Sequence, residues 1–242
     1  MLLTLKDISF FQISENAISL EFGEEISEET LERITRLNEC IKQHPFSGLL
    51  STIPAYTTLT LYFNPVELLN DVALKGQTCL DKISGYFKSL QLDEKNTQKI
   101  DDQIIHIPVC YDVEFGFDLE ELTEFYQLKK EEIIEMHSGA VYTVFMIGFV
   151  PGFPYLGGLS EKLTAPRKQH PRPAIPAGSV GIAGKQTGIY PLETPGGWQI
   201  IGRTPLRLFD GNKPQPALLK AGDKIKFKPI SLTEFEQIQM KQ

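Results

Sequence analysis

Scarcities narrow the reading of this 242-residue chain first. Three cysteines occur, at 40, 79 and 110, and none stands in a CxxC pair. Such spacing supports neither a disulfide framework nor a zinc site, and Cys40 and Cys79 fall in predicted helices, where a small buried thiol is the usual role. The four histidines, His44, His106, His137 and His170, show no ligand spacing, so no metal site is expected. No apolar run approaches the length needed to cross a bilayer, and the N-terminus lacks a basic region followed by an apolar one. A cytoplasmic protein without a membrane partner is therefore expected. Basic charge is also short: 24 Lys and Arg against 31 Asp and Glu leave a net −7, with no long basic stripe to neutralise phosphates, which argues against nucleic-acid binding.

Glycine and proline are plentiful but unevenly spread. The stretch from Gly148 to Pro216 holds twelve of the 19 glycines and eleven of the 16 prolines. Glycine permits positive φ and proline locks φ, so this stretch must contain many sharp bends. Interleaved Phe, Tyr, Trp, Ile and Val separate it from disordered chain and predict a packed, loop-rich site. It also carries eight Lys or Arg against three Asp or Glu, a cationic and aromatic island on an acidic protein. Such an island suits an anionic small ligand or an acidic partner surface, although arginines that clamp loops through carbonyls give the same composition.

Taken in order, Phe10 to Ile13 and Ala17 to Phe22 read as paired strands. Ser27 caps a helix to about Lys42 with Leu31, Ile34, Leu37 and Ile41 on one face. Gly48 to Ile53 and Thr57 to Phe63 form a second pair of strands. Asn64-Pro65 then starts a helix toward Leu90 with a break at Gly76. That order predicts a small α+β domain over residues 1–95, an α/β-sandwich-like layer of helices on an antiparallel sheet, and the polar stretch 91–102 reads as a linker. A second domain, 96–242, begins with a strand at Ile104 to Val109. Asp118 with Glu121 is a capping-box-like helix start, and a helix from Lys130 to His137 stops at Gly139. Val141 to Val150 is apolar on both faces, as in a closed barrel. Short strand runs at Ser179 to Ala183, Gly188 to Leu192, Trp198 to Arg203, Arg207 to Phe209 and Lys224 to Lys228 indicate an all-β barrel, with a terminal helix over Ser231 to Met240.

The strings GFVPGFPYLGGL, APRKQHPRPAIPAGSVGIAGKQTGIYP, TPGGWQIIGRTP and AGDKIKF resemble the family that contains the B subunit of bacterial 5-oxoprolinase, the histidine-kinase inhibitor KipI and the first subunit of allophanate hydrolase, whose counterpart is fused into urea carboxylases. The likeness is strong from about His137 to Phe227. It implies an α+β chain whose second domain is a cyclophilin-like β-barrel with carboxyltransferase-like character, carrying no prolyl isomerase activity with it. It further implies one component of a heteromeric hydrolase, inactive alone, that works with the A and C subunits of 5-oxoprolinase to open 5-oxoproline to L-glutamate at the expense of ATP. KipI-like kinase inhibition and a urea carboxylase or allophanate hydrolase role are the alternatives.

The candidate chemistry lies in those strings. Gly178 to Gln186 misses a phosphate loop at two positions, so ATP is expected as a co-substrate held by a partner or at a shared interface. Ala177 to Gly181 misses the GxSxG elbow by one residue, which favours Ser179 as a hydrogen-bond donor to ligand. Arg167, Arg172 and Arg203 each match an arginine of the family, and guanidinium forks suit a carboxylate or a developing phosphate charge. His137 ends a helix, where capping is the plain reading. The family carries a histidine there, which implies ligand binding or proton transfer. His137 and Arg203 are the expected catalytic pair. Arg167, Arg172, Ser179, Gln186, Tyr190, Gly196, Gly197 and Trp198 are expected to bind substrate, with the two glycines offering amides to an oxyanion. Trp198 either walls the pocket or fills the barrel.

Overall fold

The computed structural model describes residues 8–90 and 103–241, and the chain divides into two units, Met1–Ile100 and Asp101–Gln242. The expected linker, 91–102, lies outside the described residues. In the first unit β1 (Ser9–Ser14) and β2 (Ala17–Glu21) are followed by α1 (Glu28–Gln43), β3 (Leu49–Pro54), β4 (Thr58–Phe63), α2 (Pro65–Asn70) and α3 (Cys79–Ser89). The strands form one antiparallel sheet in the order β1-β2-β4-β3. Alternation puts Ile18, Leu20, Leu59, Leu61 and Phe63 on one face, where they meet Ile34, Leu37 and Ile41 of α1 and Ile83 and Phe87 of α3. Ser27 Oγ accepts the Thr30 N–H at 3.1 Å and starts α1.

The helix expected from Asn64 to Leu90 is two helices. Thr78 and Asp81 form a reciprocal capping box that begins α3 afresh, and Gly76 stands at φ 138° in the loop before it. That loop is held by Lys82, whose buried Nζ donates to the Asp71 and Leu74 carbonyls.

The second unit contains β5 (Ile104–Val109), α4 (Leu119–Tyr126), α5 (Lys130–Gly139), β6 (Tyr142–Ile147), β7 (Pro154–Gly157), β8 (Arg172–Ile175), β9 (Ser179–Ala183), β10 (Gln186–Ile189), β11 (Thr194–Gly196), β12 (Gln199–Arg203), β13 (Lys224–Pro229) and α6 (Leu232–Gln239). Seven strands form one sheet in the order β12-β9-β10-β7-β6-β13-β5, and β8 pairs with β11 in a separate ribbon. Only β13 and β5 run parallel within the large sheet. Its two ends are stitched by one bridge, in which Cys110 and Arg203 exchange N–H···O bonds of 2.9 Å in both directions. The result is a nearly closed barrel within a mixed α/β unit. Val144, Leu156, Val180, Ile182, Ile189, Ile201, Ile225 and Phe227 fill its interior, which a closed wall buries on one face of every strand.

Two expectations fail locally. Arg207 to Phe209 is no strand, since only Phe209 bridges, to Ala217. Strands β7, β8 and β11 went unread because they are three or four residues long and each carries a proline, a residue that demotes a strand pattern.

Candidate functional site

The wall built by β7, β9, β10 and β12 has two lined faces. Val180 and Ile182 of β9 point into the barrel core, so Ser179, Gly181 and Ala183 face outward. There Phe153, Ile175, Ala183, Tyr190, Trp198 and Ile200 form a second apolar cluster with Tyr155 against it. Phe153 is its centre, 4.9 Å from the ring of Tyr155, 5.2 Å from Tyr190 and 5.4 Å from Trp198. Trp198 thus packs on the outside of the wall and does not fill the barrel. Gly188 makes this possible, because a Cβ there would lie 3.0 Å from both Phe153 and Trp198. At Gly196 a Cβ would run into the Tyr190 hydroxyl.

Register places three of the expected residues side by side. Arg203 of β12 pairs with Ser179 of β9, and the Tyr190 N–H donates to the Ser179 carbonyl at 2.8 Å, so all three share the outer face. Ser179 Oγ is buried and has no hydrogen-bond partner. The Tyr190 hydroxyl accepts from the Trp198 backbone N–H, and burial pushes its pKa up to about 12, which keeps it a donor at neutral pH. Gln186 lies at the other end of β10, opposite Ala183. Gly197 uses its carbonyl to accept the Lys168 N–H at 2.7 Å.

The three arginines differ in what they have left to give. Arg172 is held by a fork: Nη1 and Nη2 donate to Asp118 Oδ2 and Oδ1 at 2.9 and 2.6 Å, and its guanidinium lies 4.9 Å from the centroid of Phe117. Arg203 uses only Nε, which donates to the Ala177 carbonyl at 2.7 Å, while its guanidinium lies 5.7 Å from the Phe115 centroid. Burial lowers its pKa from the ordinary guanidinium value, and it remains a cation. Arg167 is exposed and makes no hydrogen bond or ion pair among the described residues. It lies close enough to Tyr155 and Tyr190 for its charge to lower both phenol pKa values against the larger raising effect of burial.

Asp118 is the residue that sequence reasoning misassigned. It makes no cap hydrogen bond to α4. Its carboxylate, 1% exposed, instead takes Arg172, Lys168 Nζ at 3.0 Å and the Ile200 N–H at 2.7 Å. The cap pattern concealed this role, and the Lys and Arg that answer it lie some fifty residues away. Gln199 was missed too. Its Nε2 donates to the Pro166 carbonyl at 3.0 Å and its Oε1 is buried without a partner.

His137 lies inside the barrel, 0% exposed. Thr187 Oγ1 spends its proton on the Gly181 carbonyl at 2.9 Å, so it accepts from His137 Nε2 at 3.0 Å. Nδ1 then accepts the Tyr111 hydroxyl proton at 2.8 Å, a tautomer assigned from the network. The ring stacks on Phe227 with centroids 4.5 Å apart. Burial lowers its pKa to about 3, so the imidazole is neutral at physiological pH. Among the described residues no group of three His, Cys, Asp or Glu could hold a metal ion, and no helix is long and apolar enough to cross a membrane.

Residues 8–219 match the model of the carboxyltransferase domain, subdomain C and D. The chain is 44% identical over 224 residues to the 5-oxoprolinase B subunit of Bacillus subtilis, covering 93% of each chain. It is 59% identical over 182 residues to the 5-oxoprolinase B subunit of Haemophilus influenzae, covering 75% of this chain and 83% of that one. Its fold is similar to part of the urea amidolyase of K. lactis, with a TM-score of 0.71 and 20% identity, over 96% of this chain and 15% of that chain.

Proposed function

The chain belongs to the carboxyltransferase-domain family and, within it, to the 5-oxoprolinase B subunits, and from that premise we propose that it works in the cytoplasm as one component of an ATP-dependent enzyme that opens 5-oxo-L-proline to L-glutamate. The A and C subunits of that enzyme are its partners in this reading, and the chain is inactive without them. We read its barrel as cyclophilin-like. The observation that carries the assignment of the site is the contrast among the arginines. Arg167, exposed beside Tyr155 and Tyr190, and Arg203, which uses only its Nε, keep guanidinium donors for an anion, whereas Arg172 holds Asp118 with both Nη atoms. A carboxylate such as that of 5-oxoproline suits such a fork, and a ring lactam suits the face of Tyr155 and Trp198.

Each expected residue then has a defined part. Arg203 and Arg167 hold the substrate anion, and Arg203 also stabilises charge that develops on the opening amide. Ser179 and Tyr190 donate hydroxyl protons to substrate oxygen. Gly196 gives the Tyr190 hydroxyl its room, Trp198 supplies the wall, and Gln186 and Gly197 border it. Arg172 positions β8 by its bond to Asp118. His137 acts from within the barrel, holding α5 to β10 through Thr187, and touches no substrate. ATP does not fit Gly178 to Gln186, because that segment is β9, a turn at Gly184 and the start of β10, whereas a phosphate loop opens a helix. We assign ATP to a partner or a shared interface.

The test is ADP release by the chain assembled with the A and C subunits, with and without 5-oxoproline. Stimulation by 5-oxoproline only in the assembly is expected, and Arg203→Ala should lower kcat/KM by about a hundredfold. Absence of stimulation in an assembly shown to be folded and associated overturns the proposal, and stimulation by urea instead moves the chain to the urea pathway.

A further inference from the structure

Gln199 is a polar residue in a position that suits an apolar one. Its neighbours Trp198 and Ile200 both pack in the outer cluster, so alternation turns Gln199 to the barrel side, opposite Ile182 of the core. It is 6% exposed there. Its Nε2 donates to the Pro166 carbonyl at 3.0 Å, and its Oε1 is buried with no partner. Flipping the amide would set one oxygen against another, so the network assigns this orientation. A buried acceptor left unpaired costs stability, whereas an apolar side chain would leave none. The bond that the amide makes is to Pro166, an exposed residue whose carbonyl water can serve instead. Stability alone therefore does not account for the side chain.

What the bond does is fix one flank of Arg167. The other flank is fixed as well: the Lys168 N–H donates to the Gly197 carbonyl at 2.7 Å, and Lys168 Nζ lies 3.0 Å from Asp118 Oδ1. One residue before Pro166, the Ala165 carbonyl accepts the Gly184 N–H at 2.7 Å. Between these anchors the Arg167 side chain is exposed and makes no hydrogen bond or ion pair among the described residues. A long cation on a pinned backbone has fewer positions to search, so it grips an anion at a lower entropic cost.

We propose that Gln199 is a positioning residue for Arg167: its hold on the Pro166 carbonyl fixes the backbone from which that guanidinium reaches the substrate anion. Naming the anion as the carboxylate of 5-oxoproline rests on the proposed function, while the hold itself does not.

Gln199→Met and Arg167→Ala, singly and together, test this in the chain assembled with the A and C subunits. Gln199→Met nearly keeps the volume, so its melting temperature should stay within about 3 °C of the wild type. In the isolated chain the Lys168 N–H should exchange at least about threefold faster, because an anchor two residues away is gone. In the assembly KM for 5-oxoproline should rise about fivefold, with kcat within about twofold of the wild type. In the Arg167→Ala background, where KM is already raised, Gln199→Met should raise it no further. Independent effects of the two substitutions, or a fall in kcat that follows a fall in melting temperature, overturns the proposal. So does an unchanged KM in Arg167→Ala, which needs no Gln199 variant to fold. A wild-type assembly that 5-oxoproline does not stimulate sinks the functional reading. The exchange rate of Lys168 then decides, and an unchanged rate in Gln199→Met overturns the hold.

Discussion

Two buried polar clusters lie on opposite sides of one barrel wall, and they are built on opposite plans. Inside, Tyr111, His137 and Thr187 form a chain of neutral groups in which every proton has an acceptor. Outside, Asp118 gathers Arg172, Lys168 and the Ile200 amide around one ionised carboxylate. The interior has no water to share a charge with, so neutrality is the stable choice there. The outer cluster reaches partial solvent through Arg172, at 31% side-chain exposure, and can keep its charges. The lesson concerns the cationic island: its charge is partly structural, and the part left over for ligand is smaller than composition suggests.

The largest expected effect breaks the charged cluster. Asp118→Ala strands two cations and an amide, and should cost about 3 to 5 kcal/mol in chemical denaturation. Removing the neutral cluster should cost less: His137→Ala empties a ring-sized space and orphans the Tyr111 and Thr187 hydroxyls, for about 2 to 4 kcal/mol. A loss larger than that of Asp118→Ala would reverse the comparison. Acid sharpens it next. The folded pKa of His137 is depressed from 6.5 to about 3, so its contribution is complete above pH 6.5. As pH falls through that window the unfolded chain takes up a proton that the native chain refuses. Stability should drop by about 1.4 kcal/mol per pH unit, and between pH 6.5 and 5 the slope should shrink in His137→Gln. An unchanged slope would mean that the buried ring does not govern this window. The smallest effect is Arg167→Ala, expected within about 0.5 kcal/mol of the wild type because the side chain is exposed and makes no hydrogen bond or ion pair among the described residues. Its signature should instead be a raised KM for 5-oxoproline in the assembled enzyme.

Much of the fold was legible because its signals are local. Ser27 capping α1, Asn64 capping α2 and the alternation of β4 and β9 need only nearby residues, and the boundaries of β5 and β9 coincide with those read from sequence. The ribbon of β8 and β11 was illegible because its pairing carries almost no periodicity over so few residues. At the site, four of the residues expected from sequence, Arg203, Ser179, Tyr190 and Trp198, lie on one face of the wall. Sequence could not rank the arginines. The difference between Arg172 and Arg203 is made by Asp118, fifty-four residues before Arg172, whose helix-start position already had a sufficient local explanation. His137 was similarly opaque, since the same residue suits a helix end, an active site or a core, and only the placement of Thr187 and Phe227 around it decides.

The single stitch between Cys110 and Arg203 has a consequence for how this wall can vary. Both of its bonds belong to the main chain, so the seam is blind to which side chains it joins. Any residue but proline closes the barrel equally well at position 203, and a guanidinium aimed at a ligand can occupy the hem without weakening it. The same stitch is short, one residue pair long, so its two amides are where exchange with deuterated solvent should begin when the barrel breathes. Ligand gripped by Arg203 would then slow that exchange, turning the fastening of the fold into a reporter of occupancy.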